Sequence, residues 1–240
     1  MRAVVSIGGS VLVPDLNADR VADYATVIER LAVEGISLGL VVGGGAIARE
    51  YINVARSLRA NEIELDGMGI AATRLNARLL IAALGERASP SPATEYEDAG
   101  AALRRGDAAV MGGVTPGQTT DAVSAALAEY VGADLLIYAT SVAGVFSADP
   151  AASADARKFE ALSASDLVDV IADIEMNAGA SAPVDLLAAK LIERSGMRTI
   201  VLDGTDPERI ERAIHTGEHE GTDVVPEGST DEPTYWTSDD

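Results

Sequence analysis

The chain has no cysteine, which excludes disulfides, thiolate nucleophiles and thiolate-held metals. Histidine occurs only at His215 and His219, too few for a histidine-rich metal centre. Any metal is therefore expected to arrive with a substrate, and no metal-ligating residue is assigned. Lysine is equally scarce, at Lys158 and Lys190 alone, and the 18 Lys+Arg stand against 38 Asp+Glu, a formal net charge of -20. Nucleic acid and anionic membrane both require a basic face, so neither is an expected partner. No apolar run reaches the roughly 18 residues that a membrane span needs. The chain opens directly on a strand-like stretch, Ala3-Val4-Val5-Ser6-Ile7, without a basic leader or a cleavage site, so a cytoplasmic location is expected. Aromatic residues are only 4% of the chain. Together with the missing lysines and the dispersed acidity, this is the habit of proteins from high-salt cytoplasms. It bears on solubility and leaves the substrate open.

What is present is enough apolar sequence for one substantial core: 48% of 240 residues. Runs rich in β-branched residues alternate with segments of helical period, the pattern of βαβ units and a mostly parallel sheet. Strands are expected at 3–7, 37–42, 108–111, 135–139, 199–202 and 221–225. Helices are expected at 18–34, 46–59, 62–84, 120–131, 163–172, 184–195 and 206–215. The fold class is α/β, a mostly parallel central sheet sandwiched between helices. Residues 85–98, with Pro90 and Pro92, read as an irregular passage. One domain is expected over 1–226. Residues 227–240 lack an apolar period and read as an acidic, disordered tail in which Tyr235 and Trp236 are candidates for docking.

In an open α/β sheet, ligands bind beyond the carboxyl ends of the strands, so the strand-to-helix junctions carry the functional reading. The first holds Gly8-Gly9-Ser10 and the second Gly43-Gly44-Gly45, where bare backbone can approach an anion at a helix start. Neither is a Walker loop or a Gly-x-Gly-x-x-Gly fingerprint. Arg49, four residues past Gly45, is placed to reach a phosphate held there. A third loop, Gly112 to Asp121, gathers glycine and hydroxyl residues before a helix, with Asp121 in its first turn.

The fourth loop is the most specific. Thr140-Ser141-Val142-Ala143-Gly144-Val145-Phe146-Ser147-Ala148-Asp149-Pro150 follows an expected strand. It resembles the run Thr-Asn/Asp-Val-x-Gly-Val/Ile-Tyr/Phe-x-x-Asp-Pro of the amino acid kinase family, with Ser141 in place of the usual Asn or Asp. The likeness is strongest to the family's archaeal UMP-phosphorylating branch and covers about residues 1–226. It includes IGGSVLVP (7–14), VVGGGAIAREYI (41–52), GIAATRLNARLLIAAL (69–84), MGGVTPGQTTDAV (111–123) and DLLAAKLIERSGMRTIVLDG (185–204).

That resemblance implies the amino acid kinase fold and phosphoryl transfer from ATP, carried with Mg²⁺, to UMP in pyrimidine nucleotide synthesis. It puts Gly9 and Ser10 on the donor triphosphate, Gly44 on the UMP phosphate, and Gly45 with Arg49 on the donor side. Thr140, Phe146 and Asp149 would hold the adenosine. Asp66 and the segment Val114, Thr115, Pro116, Gly117, Gln118, Thr119 and Thr120 would enclose the rest of UMP. The residues expected to act in catalysis are Asp121, as an orienter of phosphate-binding groups, with Arg49 and Lys190. Lys190 corresponds to a donor-phosphate lysine of several relatives. Ser6 stands where many of them carry a lysine in the first loop. The same resemblance implies a homohexamer, a trimer of dimers, with the apolar run Ile70 to Leu84 available to a dimer face.

Two alternatives stay open. One is another small-phosphate kinase of the same fold, isopentenyl phosphate or acetylglutamate kinase. The absence of histidine from Gly43-Gly44-Gly45-Ala46-Ile47-Ala48-Arg49 argues against both. The other is a relative that binds a nucleotide or oxyanion without turnover.

Overall fold

Alternation along the strands sets the architecture. In β1 (Arg2–Ile7), Ala3, Val5 and Ile7 join one apolar cluster and Val4 the other, as a period-two strand buried on both faces requires. The same split recurs in β2 (Ser37–Val42), where Leu38, Leu40 and Val42 oppose Val41. It recurs again in β4 (Leu135–Thr140), where Leu135, Ile137 and Ala139 oppose Leu136 and Tyr138. The computed structural model describes residues 1–150, 153–175, 182–228, 233 and 236.

Among the described residues the remaining strands are β3 (Ala109–Met111), β5 (Ala161–Ser163), β6 (Thr199–Asp203) and β7 (Thr222–Val225). The order across the sheet is β3-β2-β1-β4-β6-β7-β5, parallel at every pairing except β6 with β7. The helices are α1 (Gly9–Leu12), α2 (Ala18–Val33), α3 (Gly45–Ser57), α4 (Glu62–Leu84), α5 (Tyr96–Arg105), α6 (Thr120–Val131), α7 (Ala164–Glu175), α8 (Leu186–Ser195) and α9 (Glu208–Thr216). Side chains of α1, α2, α4 and α9 fill the first cluster, and those of α5, α6, α7 and α8 the second. The sheet is thus covered on both faces. None of the described helices is long and apolar enough to cross a membrane.

The chain leaves β1 for β2 on one side and later returns to place β4 on the other. This reversal is the switch point at which open α/β sheets hold ligands.

All six expected strands are present, and the structure adds four elements. Residues 85–98 are not wholly irregular: a 3-10 turn spans Gly85–Arg87, and α5 starts at Tyr96. α5 buries Ala99, Gly100, Ala102 and Leu103, of which only Leu103 is large, too few bulky positions to make a visible apolar period. α1 is a four-residue turn, and β5 is a three-residue edge strand with only Leu162 buried. Of the expected tail, Trp236 packs against the first cluster, its ring 4.6 Å from the Arg198 guanidinium carbon. Tyr235 lies outside the described residues.

Candidate active site

β1 and β2 end side by side, with Ile7 opposite Val42, so their loops leave the sheet together. The Gly43 N–H donates to the Ile7 carbonyl at 2.9 Å and the Gly8 N–H to the Ala139 carbonyl at 2.9 Å, which ties both loops to strand ends. The loops then touch backbone to backbone: a Cβ on Gly43 would stand 2.7 Å from the nitrogen of Gly9. Gly44 is right-handed (φ -82, ψ -30), and Gly45 turns to φ 63. That right-left succession aims consecutive N–H groups to one side, forming a nest for an anion at the N-terminus of α3.

A cavity of about 510 Å³ opens above this nest. Gly9, Ser10, Gly44, Gly45, Arg49, Thr120, Asp121, Thr140, Phe146 and Asp149 border it, which brings together the expected donor-side residues and Asp121. Thr140 shapes its own loop, its hydroxyl accepting from the Val142 N–H at 3.1 Å. Phe146 is held by an antiparallel bridge to Lys158. Ile174, Ala182 and Pro183 close the apolar end, a wall that sequence reasoning did not assign. Arg49 is exposed at the rim.

The other expected substrate residues do not border that cavity and are held beside it. Asp66 is tied to the acceptor-side loop: one oxygen of its carboxylate accepts from the Gly117 N–H at 2.7 Å, fastening α4 to the loop 112–120. Thr73 accepts from the Gly113 N–H at 2.7 Å, and Arg74 donates to the Gly113 carbonyl at 3.1 Å. Tyr96, on the unforeseen α5, faces Gln118 with its hydroxyl 3.4 Å from Oε1. Val114, Thr115 and Pro116 lie in this fastened loop. Thr119 caps α6, accepting from the Ala122 N–H at 3.1 Å.

Asp121 sits in the first turn of α6, where the Ser6 hydroxyl approaches its carboxylate at 3.4 Å and the Tyr138 hydroxyl donates to its backbone carbonyl at 2.9 Å. Burial, reinforced by the charge of Asp185, pushes the Asp121 carboxyl up to about 7, with the Ser6 hydroxyl pulling the other way. Asp185 is a site residue that sequence reasoning missed. It caps α8, accepting from the Ala188 N–H at 2.9 Å, and its other oxygen accepts from the Thr119 hydroxyl.

Lys190 stands apart from the cavity in the single chain. Asp185 reaches the site only through Thr119 and its charge on Asp121, and five residues later, on α8, Lys190 faces solvent. It is exposed and paired with Glu193 at 3.0 Å, and it does not border the cavity. Lys158 donates to the Glu220 carbonyl, also outside the cavity.

A mostly parallel sheet whose switch point carries a nest of backbone N–H groups suited to an anion is the architecture of a nucleotide-handling α/β enzyme. Within that class the chain belongs to the amino acid kinase family, whose model matches residues 1–203. It is 69% identical to uridylate kinase of Halobacterium salinarum over 236 residues, 98% of each chain. With uridylate kinase of Haloarcula marismortui it shares 66% identity over 227 residues, 95% of this chain and 100% of the relative. The crystal structure of uridylate kinase from Archaeoglobus fulgidus, 44% identical, matches with a TM-score of 0.83 over 94% of this chain and 100% of that one.

Proposed function

We propose that the chain transfers the terminal phosphoryl group of Mg-ATP to UMP, reversibly, giving ADP and UDP for pyrimidine nucleotide synthesis. The observation that carries this reading is the position of the nest. Gly44 and Gly45 border the cavity walled by Thr140, Phe146 and Asp149, and a Cβ on Gly44 would also lie 3.5 Å from Thr73, the residue that holds the 112–120 loop. Donor and acceptor phosphates would meet there. The 69% identity to a uridylate kinase over nearly the full length of both chains supports UMP as the acceptor.

In the transfer, an oxygen of the UMP phosphate bonds to the γ-phosphorus of ATP as the bond from that phosphorus to the β–γ bridging oxygen breaks. ADP leaves with the electron pair. The attacking oxygen is already anionic at neutral pH, so no base is required. The protein's contribution is positioning and neutralisation, from the nest amides, Arg49 and the groups that Asp121 orients. The Mg²⁺ is substrate-borne. Among the described residues the one acid–histidine grouping of metal-binding size is Glu34, Glu211 and His215, on α9 and the end of α2, where Arg30 already pairs with Glu211.

ADP release from Mg-ATP, measured in high salt with UMP, CMP, isopentenyl phosphate or acetylglutamate, tests the reading. UMP-dependent ADP is expected, and its absence sinks the proposal. Asp121→Asn should lower kcat far more than it weakens UMP binding.

The assembly implied by the family resemblance, a homohexamer built as a trimer of dimers, belongs to the same reading. Its support here is an uncovered apolar face on α3 and α4, where Tyr51, Val54, Leu58, Ile63, Leu75 and Leu79 are exposed.

A further inference from the structure

Asn76 lies in the middle of α4, only 2% exposed, in a helix otherwise filled at its buried positions mainly by Leu, Ile and Ala. A buried amide without a task is costly, so its partners identify its role. Its Nδ2 donates to the carbonyls of Gly43 at 2.9 Å and of Gly44 at 3.1 Å. These are consecutive carbonyls of the nest loop. In a planar trans peptide the N–H points opposite to the C=O. Drawing both oxygens toward α4 therefore turns the N–H groups of Gly44 and Gly45 away from α4, toward the cavity that both residues border.

We infer that Asn76 is the positioning residue that sets the anion nest, holding two consecutive glycine peptides so that their N–H groups face the transferred phosphate. Glycine peptides resist rotation least of all, since no Cβ restricts φ and ψ. Without the amide, the Gly43-Gly44-Gly45 backbone would sample orientations in which the donors diverge. Binding would then have to order the loop first, as in any site that is not preorganised. Thr73 and Arg74, one turn earlier on the same helix, hold Gly113 in the acceptor loop. α4 therefore sets both phosphate-side loops through three adjacent polar side chains, of which Asn76 is the one that hydrogen-bonds the nest.

The inference rests on the phosphoryl-transfer reading, and the test separates the two. Asn76→Asp keeps the shape and removes the paired N–H donors, and Asn76→Ala removes the side chain should the carboxylate prevent folding. Thermal melts establish that each variant is folded at the assay temperature. The expected result is a rise of at least tenfold in KM for both UMP and ATP, with a smaller fall in kcat. NMR titrations should show that the variants lose UMP affinity by a similar factor while uridine, which carries no phosphate, binds as it does to the parent. KM values within twofold of the parent in a folded variant would overturn the assignment. So would equal losses for UMP and uridine, the mark of a damaged pocket rather than a misdirected nest. If the parent chain itself makes no UMP-dependent ADP, the transfer reading falls, and ATP against adenosine affinity in the same variants still decides the role of Asn76.

Discussion

The Cα of Gly9 lies so close against the second glycine loop that a Cβ on it would stand 2.3 Å from the backbone nitrogen of Gly45 and 2.5 Å from the carbonyl oxygen of Gly43. No rotamer relieves this, because both obstacles are backbone. The opening strand and the nest are therefore packed through a residue that has to be glycine.

Gly9→Ala is expected to separate the two loops and to act on stability and binding together. Overpacking of this kind costs roughly 1–3 kcal/mol, more where backbone has to move. In a chain of this size that corresponds to a drop in Tm of about 5 °C or more. KM for ATP should rise at least tenfold. Ser10→Ala, at an exposed neighbouring position, supplies the comparison and should leave Tm within a degree or two. A Gly9→Ala variant with parental Tm and KM would show that the loops are not interlocked.

The junction glycines were legible because glycine right after a β-branched run has few other uses. The strands were legible because both faces of the sheet are buried, which makes each a continuous apolar run such as Leu38–Val42. Other parts of the site could not be read this way. Asp185 reads as an ordinary helix cap, and only the fold brings it to Thr119, 66 residues away in sequence. Asn76, Thr73 and Arg74 read as polar residues of an amphipathic helix, since their aim is set by how α4 packs across the loops. Lys190 shows the opposite case. Its rarity in the chain gave it weight, but helical geometry turns it away from the face that Asp185 occupies. α5 escaped notice because a helix can pack on alanine and glycine without showing an apolar stripe.

Asp121 provides a pH-dependent prediction whose sign follows from burial. Its carboxyl is pushed from an ordinary 3.8 to about 7 in the folded chain. Between those values the folded state holds a proton that the unfolded state has released, so stability from this group is full below about pH 4 and lost as pH rises through 7. Asp121→Asn has no such titration. The Tm difference between variant and parent should be near zero at pH 4.5 and grow to several degrees in the variant's favour by pH 8, corresponding to a few kcal/mol. Other carboxylates titrate in both proteins and cancel in the difference. A difference that stays flat with pH would show that Asp121 is ionised throughout.

The formal charge of -20 sets a salt dependence. Self-repulsion among exposed carboxylates acts over a Debye length of about 10 Å at 0.1 M salt and about 3 Å at 1 M, so most of it is screened between those concentrations. Tm in KCl should rise by about 10 °C over that interval and level off near 1 M. A further linear rise at higher concentration would identify salt exclusion from the surface as the larger effect. A Tm that is flat from 0.1 to 1 M would remove charge repulsion as a factor in this protein.

The uncovered face of α3 makes the assembly testable at single residues. Tyr51, Val54 and Leu58 recur at helical spacing and are 57%, 61% and 78% exposed in the single chain, a stripe that water disfavours. In a two-fold dimer each substitution enters the contact twice, so one carboxylate per chain places two like charges in an apolar interface. Leu58→Asp and Val54→Asp should each lower the mass measured by light scattering at micromolar concentration, in 2 M KCl where long-range repulsion is screened. The site lies on the carboxyl ends of the strands and not on this stripe, so both variants should still bind ATP, which calorimetry would detect. A parent chain that is monomeric at every concentration would end the oligomer reading. Variants that keep the parent's mass would move the contact to another face.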